Sequence, residues 1–495
     1  MGAQGKIEQD EALGFARRVK GAIMWRSGSQ VVAQMITWGA TFFVIRMLDP
    51  TDYGLFAMTQ VVLVFLNLMN GYGFANALVR DENVDRQKIR QAFGMLLLLN
   101  GSLALAQILA APVAAAYFRQ PMVADLLRVQ ALLYMATPFI ALPNALLSRG
   151  MDFRRQAQVD LIAALASAAT MLAFAVSGFG VWTLVWAAIV LFWTRAIGMA
   201  VATRWLVAPS FQFRGAGAMF RYGGAMVIVQ FFWFLQSQAD IFIAGRVVGP
   251  HELGLYTTAL FLTQILTAKF LPPLNDVAFA AYSRIQSDRG AVAFSFLKSV
   301  RLIMLIAMPF YLGLAATAEP LVLTVLGRKW AATAPLVAIL ALAMPFMTLQ
   351  IMFTPATNAL GRPGIALRVA MSGAVILPSA FLIGIHWGTI GIAFAWLGAF
   401  PILLAVTAAF ALPVIGASAA DLAKSVSPGL LAAAAMAMAV LVLDRMLPPM
   451  ASQARLAILV PSGAAAYGAF LFLFARHAIE EAIAMVIKRP APQAL

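Results

Sequence analysis

Apolar residues run along nearly the whole chain in blocks of twenty or more, separated by short polar stretches. A block of about 20 apolar residues, rising about 1.5 Å per residue as a helix, spans the ~30 Å hydrocarbon core of a bilayer. The pattern predicts fourteen such spans. The first six are 23–48, 55–78, 91–115, 123–147, 157–177 and 182–204; the next six are 222–247, 255–280, 297–317, 331–356, 366–387 and 389–412; a last pair covers 427–447 and 455–475. The longest connections, around 205–221 and 281–296, leave room for a turn or a small surface helix and for no folded domain. Residues 1–22 are polar and carry Lys6, Arg17, Arg18 and Lys20. They read as a cytoplasmic amphipathic lead-in, since no small-residue cleavage site follows a short apolar core. The expected fold class is an all-α integral membrane protein with about fourteen transmembrane helices.

Composition agrees. Of 495 residues, 62% are hydrophobic and 11% charged, and mean hydropathy is +0.86, whereas a soluble domain carries about 25% charged residues to wet its surface. There is no cysteine, which removes disulfides, thiol catalysis and thiolate metal sites. The three histidines, His251, His386 and His477, lie far apart. No Gly-rich phosphate loop is present. No enzyme activity, cofactor or metal is therefore expected.

The net charge is +15. In a soluble protein that would point to nucleic acid; here the cations sit in short loops, so no nucleic-acid partner is expected. They read as the positive-inside bias together with attraction to anionic lipid or substrate. With the N-terminus in the cytoplasm, 24 Lys and Arg fall on the inner side, against 7 on the outer: Arg46, Arg119, Arg246, Arg328, Lys329, Arg445 and Arg455. Both termini are then cytoplasmic.

An internal echo divides the chain. Residues 41–60 read TFFVIRMLDPTDYGLFAMTQ and residues 241–260 read IFIAGRVVGPHELGLYTTAL. At an offset of 200, Phe42/Phe242, Arg46/Arg246, Pro50/Pro250, Gly54/Gly254 and Leu55/Leu255 coincide. Pro138-Phe139 and Pro345-Phe346 form a fainter pair. Six spans separate the copies, so the halves share one orientation, a parallel repeat of the kind that binds substrate between its halves. The organisation expected is a lead-in (1–22), a first lobe (23–210, spans 1–6), a second lobe (211–412, spans 7–12) and a last pair with a basic tail (413–495).

Ionisable groups inside spans cost about 2.5–3.5 kcal/mol each to insert, so by default they face a cavity or a partner. The cations are Arg26, Arg128, Arg195 and Lys269; the anions are Asp160, Asp240 and Asp276. Arg195 falls near the middle of span 6, and Lys269 in the inner half of span 8. Arg26 either faces a cavity or snorkels to the inner headgroups. Asp160 and Asp276 sit near inner helix ends, where loop arginines are alternative partners. Gln30, Gln34, Asn67, Asn70, Gln230, Gln236, Gln238 and Gln264 add polar atoms to spans 1, 2, 7 and 8, as cavity lining or as interhelical hydrogen bonds. A net-positive cavity suits an anion, and the three aspartates are the candidates for ion coupling.

Four segments carry a family resemblance: Leu48-Asp49-Pro50-Thr51-Asp52-Tyr53-Gly54-Leu55-Phe56 after span 1, Arg149-Gly150-Met151-Asp152-Phe153-Arg154-Arg155 after span 4, Leu326-Gly327-Arg328-Lys329-Trp330 before span 10, and Gly254-Leu255-Tyr256. They resemble the Wzx-like polysaccharide flippases, and most closely the lipopolysaccharide and exopolysaccharide exporter subgroup of the multidrug/oligosaccharidyl-lipid/polysaccharide exporter superfamily. The resemblance implies two six-helix lobes around a V-shaped cavity, an extra C-terminal helix pair, and a bacterial inner-membrane location. It implies a monomer among membrane lipids, moving an undecaprenyl-pyrophosphate-linked oligosaccharide outward by alternating access, with polymerase and chain-length proteins of the same pathway as partners. Cations of helices 1 and 8 hold the pyrophosphate in such flippases; Arg26 and Lys269 occupy those helices here. Two other readings stand beside it: a small-molecule or drug:cation antiporter of the same superfamily, and a membrane polysaccharide polymerase or ligase, against which the short outer connections argue.

Overall fold

The computed structural model describes residue 28 and residues 32–70, 85–150, 152–204, 207–212 and 217–476, with 217–229 described by backbone alone. Every regular element among them is helical. The chain forms two compact units, Met1–Phe231 and Phe232–Leu495. The first holds α1 (Val32–Met47), α2 (Pro50–Asn67), α3 (Arg86–Phe118), α4 (Met122–Arg149), α5 (Phe153–Val176) and α6 (Trp182–Ala202). Helix α7 (Gly217–Val247) runs across the division. The second unit continues with α8 (Pro250–Lys269), α9 (Leu271–Arg284), α10 (Arg289–Ala316), the short α11 (Ala318–Val325) and α12 (Thr333–Ala359). It ends with α13 (Gly364–Gly384), α14 (Gly388–Ile415), α15 (Ala419–Met446) and α16 (Ser452–Phe474). A helix stands at each of the fourteen expected spans. Nine helical stretches among the described residues are long and apolar enough to cross a bilayer, the α13–α14 hairpin counted as one. The protein is a multi-pass membrane protein.

Helix ends differ from the expected spans for local reasons. Helix α2 begins at Pro50 because proline is pre-set for the first helical turn and Asp49 and Asp52 cap it reciprocally. Helix α10 begins at Arg289, eight residues before its apolar run, because Asp288 accepts from the Ala291 N–H at 3.1 Å. Span 8 is not continuous. It breaks at Phe270, since Pro272 and Pro273 have no N–H to offer the carbonyls of Ala268 and Lys269.

The two copies of the repeat motif start their helices alike. Pro50 and Pro250 both stand at the first position of a helix. In the first unit the Asp52 carboxylate lies against Gly180, whose φ of +54° suits glycine, just ahead of α6. In the second, Glu252 accepts from the Thr389 hydroxyl at 3.4 Å, at the start of α14. In both copies, then, the acid two residues after the proline reaches the start of a later helix, Asp52 that of α6 and Glu252 that of α14.

Close helix contacts use small residues, as membrane packing favours. A Cβ on Gly198 of α6 would sit 2.7 Å from Val159 of α5. A Cβ on Gly429 of α15 would sit 3.0 Å from the Met304 carbonyl of α10. The C-terminal pair is fastened to that same helix: Tyr467 donates to the Leu305 carbonyl at 2.7 Å, and Met436, Val440 and Leu459 pack with Leu312 and Ala316. Arg455 of α16 grips Asp444 of α15 with two nitrogens and approaches Glu319 of α11 at 3.5 Å.

Residues 207–212, in a connection with room for a turn or a small helix, form an irregular strap on α3. The Ser210 N–H donates to the Arg90 carbonyl (2.9 Å). Arg90 Nε donates to the Ala208 carbonyl (3.1 Å) and Gln91 Nε2 to the Gln212 carbonyl (2.7 Å). The strap lies so close at Gly94 that a Cβ there would be 2.2 Å from the Ser210 oxygen. Gly94→Ala is expected to lift the strap and lower stability by roughly 1–3 kcal/mol, the loss of two or three net hydrogen bonds. The chain has no cysteine, so Ser210→Cys reports directly: its maleimide labelling rises in the Gly94→Ala background, or the strap is not held there.

Candidate functional site

In the first unit, the structure brings two of the intramembrane charges together. Arg195 Nε and Asp160 Oδ1 meet at 2.6 Å across α5 and α6, as an ion pair rather than an aligned hydrogen bond. The contact of Gly198 on Val159 holds the two backbones close at this level. Their direction matters. The outward stripe of α5 carries Ile162, Leu165 and Val176, and that of α6 carries Trp186, Ile197 and Val201, all exposed. Asp160 and Arg195 each lie two residues before a member of that stripe, which is roughly 200° around the helix. Both side chains nevertheless keep a third or more of their surface open, 32% and 39%. The pair therefore faces an open space on the side of these helices turned away from the outward stripe.

The second unit holds a different acid. Asp240 of α7 is 1% exposed. Its Oδ2 accepts from the Tyr256 hydroxyl of α8 at 2.7 Å, and that hydroxyl accepts from Trp396 Nε1 of α14 at 2.7 Å. Asp240 Oδ1 is buried and makes no aligned hydrogen bond. Trp396 stacks on Phe400 and packs against Phe381, so the donor at the far end of this chain is fixed in place.

Lys269 is the last residue of α8 and is exposed. It stands about 28 Å from the start of that helix, counting about 1.5 Å per residue. The break after it places Lys269 at the negative end of a half-helix, where Pro272 and Pro273 offer no N–H to the carbonyls of Ala268 and Lys269, the arrangement of discontinuous helices at transport sites. Asp276 lies exposed on α9. Arg128 is at the surface, paired with Asp125 one turn away at 2.9 Å. Arg26 and Gln30 lie outside the described residues.

The amides divide in role. Asn67 and Gln230 are exposed, and Gln34 and Gln264 are half-buried. Gln238 is half-buried with an oxygen that finds no partner. Gln236 fills the space over Gly373. The Asn70 carbonyl accepts from Asn100 at 3.1 Å, joining the end of α2 to α3. Of the resemblance motifs, Gly327 adopts φ +96° and turns the chain so that Trp330 is fully buried. Asp152 caps α5, and Arg155 reaches from there to the Ala202 carbonyl at the end of α6. These motif residues shape helix ends rather than a cavity.

Sequence reasoning had Asp160 and Arg195 in different roles, and it missed Trp396. The signal for the first is the hairpin itself: in antiparallel α5 and α6 the two residues fall within one helical turn of the same distance from the turn at 177–181. For Trp396, 140 residues from Tyr256, no local signal exists.

Comparison with known proteins follows the same lines. The family model described as "Polysaccharide biosynthesis protein" matches residues 43–335. The succinoglycan biosynthesis transport protein ExoT of Rhizobium meliloti is 26% identical over 374 residues, 75% of this chain and 76% of that protein. The lipopolysaccharide biosynthesis protein WzxC of Escherichia coli is 21% identical over 304 residues, 60% of each chain. Among solved structures, the lipid II flippase MurJ in its inward closed conformation superposes with a TM-score of 0.73 at 13% identity, covering 92% of this chain and 99% of that one. That coverage leaves too little out for the whole C-terminal pair to lie beyond it, so the shared fold reaches into that pair.

Proposed function

The chain belongs to the polysaccharide biosynthesis protein family, and from that membership we propose that it is a flippase. Its cargo would be a lipid-linked oligosaccharide, carried on polyprenyl pyrophosphate from the cytoplasmic to the outer leaflet of the bacterial inner membrane for exopolysaccharide or lipopolysaccharide assembly. The observation that carries this reading beyond family membership is the placement of Arg195 and Asp160: membrane-embedded charge turned from the outward stripe toward open space. Lipid gives no reason to keep charge there; a polar headgroup does. In this reading spans 1–6 and 7–12 act as two lobes of a carrier that moves its cargo by alternating access. Both termini stay cytoplasmic, as the loop charges favour.

Arg195, Arg26 and Lys269 are the proposed holders of the pyrophosphate, a dianion or more that suits charge-assisted donors. Arg128 is a weaker candidate, because Asp125 already pairs with it at the surface. An inside-negative potential drives an anion outward by about 2.3 kcal/mol per charge per 100 mV. Among the aspartates, Asp240 is the proposed coupling site: it is buried, while Asp160 is engaged by Arg195 and Asp276 is exposed. A buried acid in the second unit also fits a drug:cation antiporter, and one assay separates the readings. The purified chain in proteoliposomes is expected to bring a fluorescent polyprenyl-pyrophosphoryl oligosaccharide to the outer leaflet at least about tenfold faster than empty vesicles, without extending it. Transport of a cationic dye with no effect on the lipid probe would establish the antiporter, and elongation of the probe the polymerase.

A further inference from the structure

We propose that Asp160 is the built-in anion that replaces the substrate's pyrophosphate on Arg195 whenever the carrier is empty. This rests on the flippase reading above and adds a step to its cycle. A carrier that alternates access crosses the membrane-embedded state twice per turn, once loaded and once empty. Loaded, a binding cation is matched by the headgroup. Empty, the same cation would be left unpaired in a low-dielectric interior, where a lone charge is costly. A tethered counter-anion removes that barrier on the return leg.

The geometry fits. Asp160 and Arg195 meet at 2.6 Å on adjacent helices whose separation is set by Gly198 against Val159, so the pair can form without help from substrate. It engages the Nε edge of the guanidinium. Arginine has five N–H donors, and the side chain remains 39% open. An arriving pyrophosphate can therefore engage Arg195 before Asp160 lets go. Asp160 also limits affinity, because every bound headgroup has displaced it and sits near its freed charge.

Two modes of transport separate this role from ordinary helix–helix adhesion. Net flipping of the fluorescent polyprenyl-pyrophosphoryl probe from one leaflet requires empty returns. Exchange, with unlabelled probe saturating both leaflets, lets the carrier cross loaded in both directions. Asp160→Asn, of equal size, leaves Arg195 unpaired in the empty state. It is expected to slow net flipping about tenfold or more, keep exchange within about twofold, and lower the half-saturating probe concentration. Asp160→Asn combined with Arg195→Gln removes both charges; its ratio of net flipping to exchange is expected to return to the wild-type ratio, although both rates fall. That ratio stays readable even if the single variant folds poorly. A fall of both modes together with the thermal midpoint in the single variant, and an unrestored ratio in the double, would show the pair to be structural only and overturn the proposal. Unchanged net flipping in Asp160→Asn would overturn it equally. A wild-type chain that moves the probe in neither mode removes the flippase reading itself, and this step with it.

Discussion

Lys269→Ala is expected to cut surface polysaccharide assembly by roughly ten- to a hundredfold, the loss of one charge-assisted contact worth about 1.5–3 kcal/mol. Lys269→Arg should retain most of it. The charge stands exposed at the end of a half-helix, beside two carbonyls to which Pro272 and Pro273 offer no N–H. Two explanations of that position make different predictions. If Lys269 serves only to offset the negative end of α8, an effect of about 0.3–1 kcal/mol, the alanine variant will be scarcer in the membrane and assembly will fall in proportion. If it holds pyrophosphate, assembly per molecule falls while abundance stays near wild type. Complementation of a strain lacking its own exporter, scored against membrane abundance by immunoblot, separates them. Arg26→Ala is expected to act in the same direction and Arg26→Lys mildly. Full assembly with both alanines in one chain would end the role of these cations.

The position of Lys269 also shows what the sequence carries and what it does not. The apolar run of span 8 continues through residue 280, so a count of apolar residues passes over the break; the tandem prolines were the available sign. Similarly, α2 and α10 begin several residues ahead of their apolar runs, because caps at Asp49 and Asp288 extend helix into the headgroup region where hydropathy gives no signal. The number and order of spans were legible for a stronger reason. A backbone in lipid must satisfy its hydrogen bonds within the span, so twenty apolar residues leave only one structure open to them. The repeat was legible because Pro50/Pro250 and the acids two residues on do local work at helix starts, and local work leaves local patterns. The ion pair and the Asp240 chain join residues across helices, and those contacts follow from which faces meet, which one sequence read alone does not determine. Arg195 and Asp160 were both conspicuous as intramembrane charges, yet their effect on each other came only from the α5–α6 contact.

Tyr256→Phe and Asp240→Asn should part company in a way that tests what the buried acid does. The Tyr256 hydroxyl is at once the donor to Asp240 and the acceptor for Trp396, and both acid and tyrosine are buried, at 1% and 0% exposure. Removing it strips the acid of its side-chain donor, when Oδ1 already lacks an aligned one, and leaves the indole N–H with nothing to bond. An orphaned buried polar group costs about 1–3 kcal/mol. Two of them, on three helices that the chain of bonds ties together, should lower stability by roughly 3–5 kcal/mol. A thermal midpoint in detergent would register that at once. Asp240→Asn is a gentler change in structure, since an amide oxygen can still accept from Tyr256 and the chain to Trp396 survives; stability should stay within about 1 kcal/mol. What it removes is the ability to gain and lose a charge. If Asp240 couples transport to an ion, the asparagine variant will flip the lipid probe at a rate indifferent to an imposed proton or sodium gradient, where the wild type is accelerated by one of the two. If Asp240 only braces α7, α8 and α14, the variant will respond to gradients as the wild type does, and the acid belongs to the packing of the second unit instead of to its work.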